Sequence, residues 1–457
     1  MNERDFLKIA EEKFEKENYK AAIMNCTKAI KLNADLADAY TIRGNSYCEL
    51  KNYEKALPDY QKAVELDSDN GDCYYNRSWV YVKLGQFEKA AVDLDTAIEI
   101  KPRHYYYFER GRLKAFFERY EEAVVDYTKA LELKPENEKY YLYRGISYKS
   151  LSENEKAFAD YNKAIEINPD YDHAYYERSL LKYDLDLYEE ALSDLDKNIE
   201  ILPKCDVAYA QRAKVKTELG RKDAIDDYNK AIELDPKFAC YYVDKVKAKE
   251  KLVQRREDLK SLGERKTGAN SGLRETQKSL REDIKDLSKA IELSPSVDIF
   301  YSFRSEKYFA LNMYEKALED CNTAIKLDPK FEDYYIDCAK INHKLKRYET
   351  EIECFKKALF LVPDNLFSHI DISVALYCSK KYKEAVNYCD NAIKIEENCA
   401  EAYYFRGLSY YKLLNFKKAS NDIKKALDLN PKIEENFEEK IPKTFLVINK
   451  IIRPKLT

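Results

Sequence analysis

The sequence predicts an all-α protein, a solenoid in which one helical hairpin is copied along the chain. Three observations predict it. Nine of the twelve prolines (Pro102, Pro135, Pro169, Pro203, Pro236, Pro295, Pro329, Pro363 and Pro431) recur at spacings of 33, 34, 34, 33, 59, 34, 34 and 68 residues. A beat of 34 marks one structural unit copied in tandem; the 59 is a unit carrying an insertion, and the 68 is two units lacking one proline. Aligned on residues 37–70, ADAYTIRGNSYCELKNYEKALPDYQKAVELDSDN, the units hold a small residue at position 8 in eleven of twelve copies. Position 20 is alanine in ten copies and position 27 in eleven. Apolar residues also recur at steps of three and four, the stripe of an amphipathic helix.

The copies run 3–36, 37–70, 71–103, 104–137, 138–171, 172–205, 206–238, 239–297, 298–331, 332–365, 366–399 and 400–433. Each reads as two helices packed face to face. Small residues let the backbones approach, and Tyr, Phe or Leu at positions 4, 14, 17 and 24 fill the space beside them. Position 8 is Ala10, Gly44, Ser78, Gly111, Gly145, Ser179, Ala213, Ser305, Ala339, Ser373 and Gly407; the exception is Val246, in the copy with the insertion. The proline at position 32 stops the second helix and restarts the chain. Repeats 1 and 11 lack it, and repeat 2 has Ser68 there. Pro58 lies inside the second helix of repeat 2 and predicts a kink or a slipped first turn.

This pattern resembles the tetratricopeptide repeat, a helix–turn–helix unit of 34 residues, over residues 3–433. The resemblance implies one continuous right-handed superhelix whose first helices line a concave groove. It also implies that positions 2, 5, 6, 9, 12 and 13 face that groove.

Arginine fills position 7 in eight copies: Arg43, Arg77, Arg110, Arg144, Arg178, Arg212, Arg304 and Arg406. The same copies carry aspartate at position 23: Asp59, Asp93, Asp126, Asp160, Asp194, Asp227, Asp320 and Asp422. Three of the four remaining copies lose both members, with Ile9 and Asn25, Cys338 and Cys354, and Ile372 and Tyr388; the fourth has Lys245 and Asp286. Residues that come and go together within a copy predict an intra-repeat ion pair with two parallel N–H···O bonds, not a row of anion receptors. Cys338 and Cys354 then stand as apolar substitutes, a disulfide between them being the lesser option.

Two stretches of the implied groove are apolar and aromatic. Repeats 3 to 6 offer Tyr75, Asn76, Trp79, Val82, Tyr105, Phe108, Arg112, Phe116, Leu142, Tyr143, Ile146, Tyr176, Leu180 and Tyr183, including the chain's single tryptophan. Repeats 9 to 12 offer Phe303, Phe309, His343, Phe367, Ile370, Val374, Tyr377, Tyr404, Phe405, Leu408 and Tyr411. Repeats 7 and 8 between them present Gln211, Lys214, Asp244, Lys247 and Lys251. Aromatics exposed together mark a contact surface for peptide segments of partner proteins. The competing reading is that these rings fill the core, and a register error of one residue exchanges the two. A carboxylate clamp of the kind this family uses on chaperone tails is incomplete. Asn45 and Asn76 are present, but Thr41, Tyr105 and Glu109 stand where cations would be needed.

Repeat 8 is longer by 25 residues. Leu252 and Leu259 are seven apart, as are Leu273, Leu280 and Leu287, with Gly263, Gly268 and Gly272 between them. That predicts a short antiparallel coiled hairpin over about 253–282, net basic, either a docking arm or a solvated insertion. Its GERKTGANSG tip lacks the Lys-Ser/Thr of a phosphate loop. Residues 434–457 predict a helix between Pro442 and Pro454 that either caps repeat 12 or docks on a second molecule.

A net charge of −4 with 35% charged residues gives a mixed-sign surface, with no basic groove for nucleic acid. No apolar run reaches the roughly 20 residues that span a bilayer, and repeat 1 begins where a signal peptide would lie. Eleven cysteines without a CxxC and four scattered histidines (His104, His173, His343 and His369) read as reduced core residues of a cytoplasmic protein with no metal. No nucleophile–base pair or cofactor motif stands out. The sequence thus points to a non-catalytic interaction scaffold or adaptor, with a regulatory or targeting subunit of an enzyme or chaperone complex as the alternative.

Overall fold

A computed structural model describes the backbone of residues 1–261 and 269–433, with side chains for 1–255 and 277–433. The described residues form twenty-four α-helices and no strand. Contacts divide the chain into two units, Met1–Leu219 and Gly220–Thr457. The first holds α1 (Glu3–Glu15), α2 (Tyr19–Leu32), α3 (Ala37–Glu49), α4 (Tyr53–Leu66), α5 (Gly71–Lys83), α6 (Phe87–Ile100) and α7 (His104–Phe116). It continues with α8 (Tyr120–Leu133), α9 (Glu138–Ser150), α10 (Asn154–Ile167), α11 (Asp172–Asp184), α12 (Tyr188–Ile201) and α13 (Asp206–Glu218). The second holds α14 (Ala224–Leu234), α15 (Ala239–Ser261), α16 (Ala269–Leu293), α17 (Asp298–Ala310), α18 (Tyr314–Leu327) and α19 (Glu332–Lys344). It ends with α20 (Tyr348–Leu361), α21 (Leu366–Cys378), α22 (Tyr382–Ile395), α23 (Ala400–Lys412) and α24 (Phe416–Leu429). Within each unit successive helices pack as antiparallel neighbours.

The hairpins close on a knob and a hole. The position-24 side chain of the second helix enters a gap left by the position-8 residue of the first. A Cβ on Gly145 would stand 2.7 Å from the Tyr161 ring, and one on Gly111 the same distance from Tyr127. In three copies a smaller position 24 goes with a serine at position 8: Leu94 with Ser78, Leu195 with Ser179 and Cys321 with Ser305; Gly407 keeps its glycine against Ile423. Close packing of this kind tolerates little extra volume.

The turn inside the hairpin uses left-handed backbone at position 15. Gly85 and Gly220 adopt it, but so do Glu17, Lys51, Glu118, Ser152, Asp186, Asn312, Lys346, Lys380 and Leu414, with φ between 56° and 64°. A left-handed residue ends the first helix and lets its own N–H and the next one return to the helix's last carbonyls, as Lys51 N to Cys48 O and Asn52 N to Tyr47 O at 2.8 Å do. Asn18, Asn52 and Asn415 then cap the following helix.

The arginine–aspartate brace is present in seven copies, each time with two bonds. Arg144 Nε and Nη2 donate to the two Asp160 carboxylate oxygens at 2.8 Å. The pairs of Arg43, Arg77, Arg110, Arg178, Arg304 and Arg406 repeat this at 2.6 to 2.9 Å. Arg212 belongs to the first unit and Asp227 to the second. Lys245 meets Asp286 at 2.8 Å in the copy with the insertion. The third arm of the guanidinium does what the sequence reading assigned to no one: it reaches position 25 of the preceding copy. Arg43 donates to Thr27 and Arg144 to Thr128 at 3.1 Å, Arg304 to Ser288 at 3.0 Å, and Arg110 and Arg406 to Asp95 and Asp390 at 2.7 Å. Each of these arginines therefore ties three helices, and it also lies over its own position-4 tyrosine, as Arg144 does over Tyr141 at 5.6 Å.

Of the kink or slipped first turn expected from Pro58, the slip does not occur. α4 begins at Tyr53, in register with its neighbours, and runs through the proline without a break. The N–H that proline lacks would have bonded to Glu54, an exposed residue of the first turn, so water can serve the freed carbonyl. In repeat 8 both helices are long, 23 and 25 residues. The glycine tip from 262 to 268 and the C-terminal tail from 434 lie outside the described residues, so the expected cap does too.

Candidate functional site

The first unit presents an open apolar slot of about 240 Å³ between α5 and α7, floored by α6. Tyr75, Trp79 and Val82 come from α5, Phe87 and Leu94 from α6, and Arg112, Leu113 and Phe116 from α7. The walls have two first helices one copy apart, so residues 34 apart in sequence face a common space. Trp79 is 37% exposed and Phe116 67%. The Trp79 ring is held by an edge contact with Tyr53 at 5.8 Å and carries Lys83 over its face at 5.0 Å. Phe116 packs on Phe87 at 5.3 Å and on Phe117 at 5.2 Å.

Phe117, 48% exposed, extends this surface to a second hollow on the far side of Phe87, and the sequence reading missed it. The signal was there, since consecutive phenylalanines close the first helix in this copy alone. At the slot mouth Arg112 is paired with Glu109 at 2.9 Å. Aromatics with a fixed pose and a wet edge are what a recessed contact needs.

The rest of the first stretch divides. Tyr105 is half-buried and donates to Asp72 at 2.5 Å, beside Tyr106, which donates to the same oxygen at 2.7 Å. Tyr143, Ile146, Tyr176, Leu180, Tyr183 and Asn76 are half-buried. Tyr183 donates to Glu218 at 3.3 Å and lies beneath Lys214 at 5.1 Å. Phe108 and Leu142 are corrections: both are core. Phe108 is 3% exposed, packed on Tyr140 at 4.6 Å and Tyr127 at 5.7 Å. Position 5 in these copies points at the next hairpin, and a ring there fills the seam between copies.

In the second unit the correction is larger. Tyr404 and Phe405 are 0% exposed and Leu408 is buried with them, in a cluster with Cys389, Ile423 and Ile433. Ile370 is buried as well. Phe303, Phe309, Val374, Tyr377, Tyr411 and His343 are half-buried, and Phe367 is exposed. A slot of about 270 Å³ between α17 and α19 is lined by Phe309 and Ile341 but also by Glu306, Asp337 and Lys340. Burial pushes the carboxyls of Glu306 and Asp337 up, and that of Asp371 up to about 6. The stretch is thus acidic as well as apolar, a feature visible at positions 6 and 9 had charge been weighed with aromatics.

The clamp residues are committed elsewhere. Asn45 accepts the Tyr60 hydroxyl at 2.5 Å, Thr41 donates to the Ala37 carbonyl at 3.1 Å, and Glu109 holds Arg112. Among the described residues no group of three metal-ligating side chains assembles, and no helix is long and apolar enough to cross a membrane.

Sequence profiles of the tetratricopeptide repeat match residues 37–70, 59–91, 104–137, 139–171, 207–238, 301–331 and 400–433. Tetratricopeptide repeat protein 12 of Mus musculus is 36% identical over 58 residues, 13% of this chain and 8% of that protein, so the likeness spans a small part of that relative. A tetratricopeptide repeat protein from Parabacteroides merdae is 22% identical in structural superposition, over 60% of this chain and 98% of that one, with a TM-score of 0.42. The C-terminal part of a repeat protein from Cytophaga hutchinsonii is 19% identical over 52% and 98%, with a TM-score of 0.44.

Proposed function

As the chain belongs to the tetratricopeptide-repeat family, we propose that it is a non-catalytic scaffold that holds peptide segments of partner proteins, and that the α5–α7 slot is its principal contact. The observation that carries this reading is the slot itself, where Trp79 and Phe116 are large, exposed and fixed by neighbouring rings. Surface aromatics scattered singly need no explanation, but two facing each other across a hollow bury a third apolar group well. One apolar side chain of a partner segment enters between Trp79 and Phe116, and an acidic residue beside it meets Lys83 above the tryptophan. The half-buried Tyr143, Tyr176, Leu180 and Tyr183 extend the contact along the first helices. Phe309, Tyr377 and Tyr411 offer a separate, acidic-flanked contact in the second unit. The long α15 and α16 are read as a coiled arm, and residues 434–457 as a cap. Eleven unbridged cysteines support a reducing, cytoplasmic location.

The test places a photo-reactive amino acid at Val82, on the slot wall, and maps cross-linked partner peptides by mass spectrometry. Peptides with an apolar residue near an acidic one, lost in a Trp79→Ala, Phe116→Ala variant of unchanged helical content, are expected. Equal cross-linking by that variant would remove the slot from the reading.

A further inference from the structure

Repeat 10 puts cysteines where seven other copies hold the arginine–aspartate brace: Cys338 at position 7 and Cys354 at position 23. Their Sγ atoms stand 3.5 Å apart, and neither is bridged. Two cysteines fill far less space than a guanidinium and a carboxylate. The volume left is an open cavity of about 300 Å³ between α18, α19 and α20, with both thiols in its wall and the exposed Arg347 and Lys357 at its edge. Cys338 is buried and Cys354 half-buried, so the cavity is the route by which a reagent reaches the pair, through Cys354 first. A third thiol, Cys321, is buried nearby, but it donates to the Tyr334 carbonyl at 3.1 Å.

We propose that Cys338 and Cys354 are a redox modification site, closing to a reversible disulfide by exchange with a small-molecule disulfide of the glutathione type. The disulfide gives repeat 10 a covalent brace where its neighbours have an ion pair. The Cys354 thiolate attacks one sulfur of the small disulfide, forming a mixed disulfide and releasing one small thiol. The Cys338 sulfur then displaces the second small thiol and forms the protein S–S bond. Two protein thiols are oxidised, one small disulfide is reduced to two thiols, and the two protons pass to the departing sulfurs. The two sulfurs have to close from 3.5 Å to the roughly 2.05 Å of an S–S bond, and the cavity beside them leaves room for that movement.

The neighbouring Cys321 thiol and burial push Cys338 up to about 12, and the Cys338 contact together with burial raises Cys354 further. Both are therefore protonated at neutral pH. Exchange is slow there and quickens about tenfold per pH unit, because only the thiolate attacks. The site thus answers sustained oxidation, not brief exposure.

The experiment equilibrates the full chain, folded, in reduced and oxidised glutathione at pH 7, 8 and 9, with alkylation and peptide mass spectrometry. A Cys338–Cys354 cross-link is expected, with unchanged helical content and a melting temperature that rises on oxidation and returns on reduction. A Cys338→Arg, Cys354→Asp variant restores the ion pair of the other copies; its melting temperature is expected not to respond to the glutathione ratio. A Cys321–Cys338 cross-link, a glutathione adduct on Cys354 that never closes, closure only in urea, or an equal response from the variant would each overturn the proposal.

Discussion

The brace in repeat 5 gives the sharpest test of how these hairpins are held. Arg144 and Asp160 share two bonds of 2.8 Å with side chains only 17% and 6% exposed, and Arg144 spends its third arm on Thr128. Burial pushes the Asp160 carboxyl up while the guanidinium pulls it back, so the carboxylate is tolerated only because the cation is there. In Arg144→Met the acid stays buried without its partner or takes a proton. Protonating a carboxyl of ordinary pKa near 3.8 at pH 7 costs about 4 kcal/mol, in line with the roughly 3–5 kcal/mol seen when a buried pair loses one member. Asp160→Asn strands a guanidinium that cannot deprotonate but keeps Thr128 and some water, for about 2–3 kcal/mol. Replacing both with Met and Leu removes the stranded charge and costs about 1 kcal/mol. The sum of the singles, about 5–8, overshoots the double by well over 2 kcal/mol. Repeat arrays need not unfold in one step. The assay is therefore amide hydrogen exchange read on α9 and α10 peptides, beside urea unfolding followed by circular dichroism. A double variant equal to the sum of the singles within about 0.5 kcal/mol would refute the brace.

Three further outcomes follow from the same geometry. Leu414 holds φ of 60° with 74% exposure, a conformation that costs a branched side chain about 1–2 kcal/mol. Leu414→Asn is expected to raise stability by about 1 kcal/mol in thermal unfolding. Gly145→Ala gains about 1 kcal/mol of helix propensity, yet its Cβ meets the Tyr161 ring at 2.7 Å. A net loss of about 1–2 kcal/mol is expected, and adding Tyr161→Leu should recover most of it, as the Ser78–Leu94 copy shows the smaller knob fits.

Asp371 is held up to about 6 from an ordinary 3.8 by burial and Glu351, against the pull of Lys340 and His343. Its protonated form is favoured in the fold. The stabilising contribution is complete below 3.8 and lost as pH rises through about 6. Asp371→Asn should therefore raise the melting temperature at pH 8 by the equivalent of about 1–2 kcal/mol, discounted for partial exposure, with the gain shrinking toward pH 4.

The helices were legible because each is reported by residues that repeat twelve times. Most second helices are announced by a ring at their start, an alanine within them and the proline that ends them, and the Arg–Asp pairing showed in which copies lost both. The left-handed position 15 was not legible. Only Gly85 and Gly220 carry the residue that advertises positive φ, while Glu, Lys, Asp, Asn, Ser and Leu adopt it elsewhere. Hairpin packing imposes that turn and outweighs the local cost. The third arm of the arginine was missed for a related reason: in the copies that precede an arginine, position 25 varies among Thr, Gln, Ser, Asn and Asp, alike only in offering an oxygen.

The site was half legible, and Phe108 against Trp79 shows where the reasoning divides. Both are aromatic, both sit on first helices, and they differ by four positions, one turn. Periodicity places both on the same face. What separates them is the neighbour each meets: Phe108 finds Tyr127 of its own hairpin and Tyr140 across the seam, whereas Trp79 faces the gap toward α7 where Arg112 and Phe116 stand apart. In a repeat protein, core and contact surface are written in the same residue types. The distinction is made by a neighbour some 34 positions away, so a groove is read from pairs of copies and not from one.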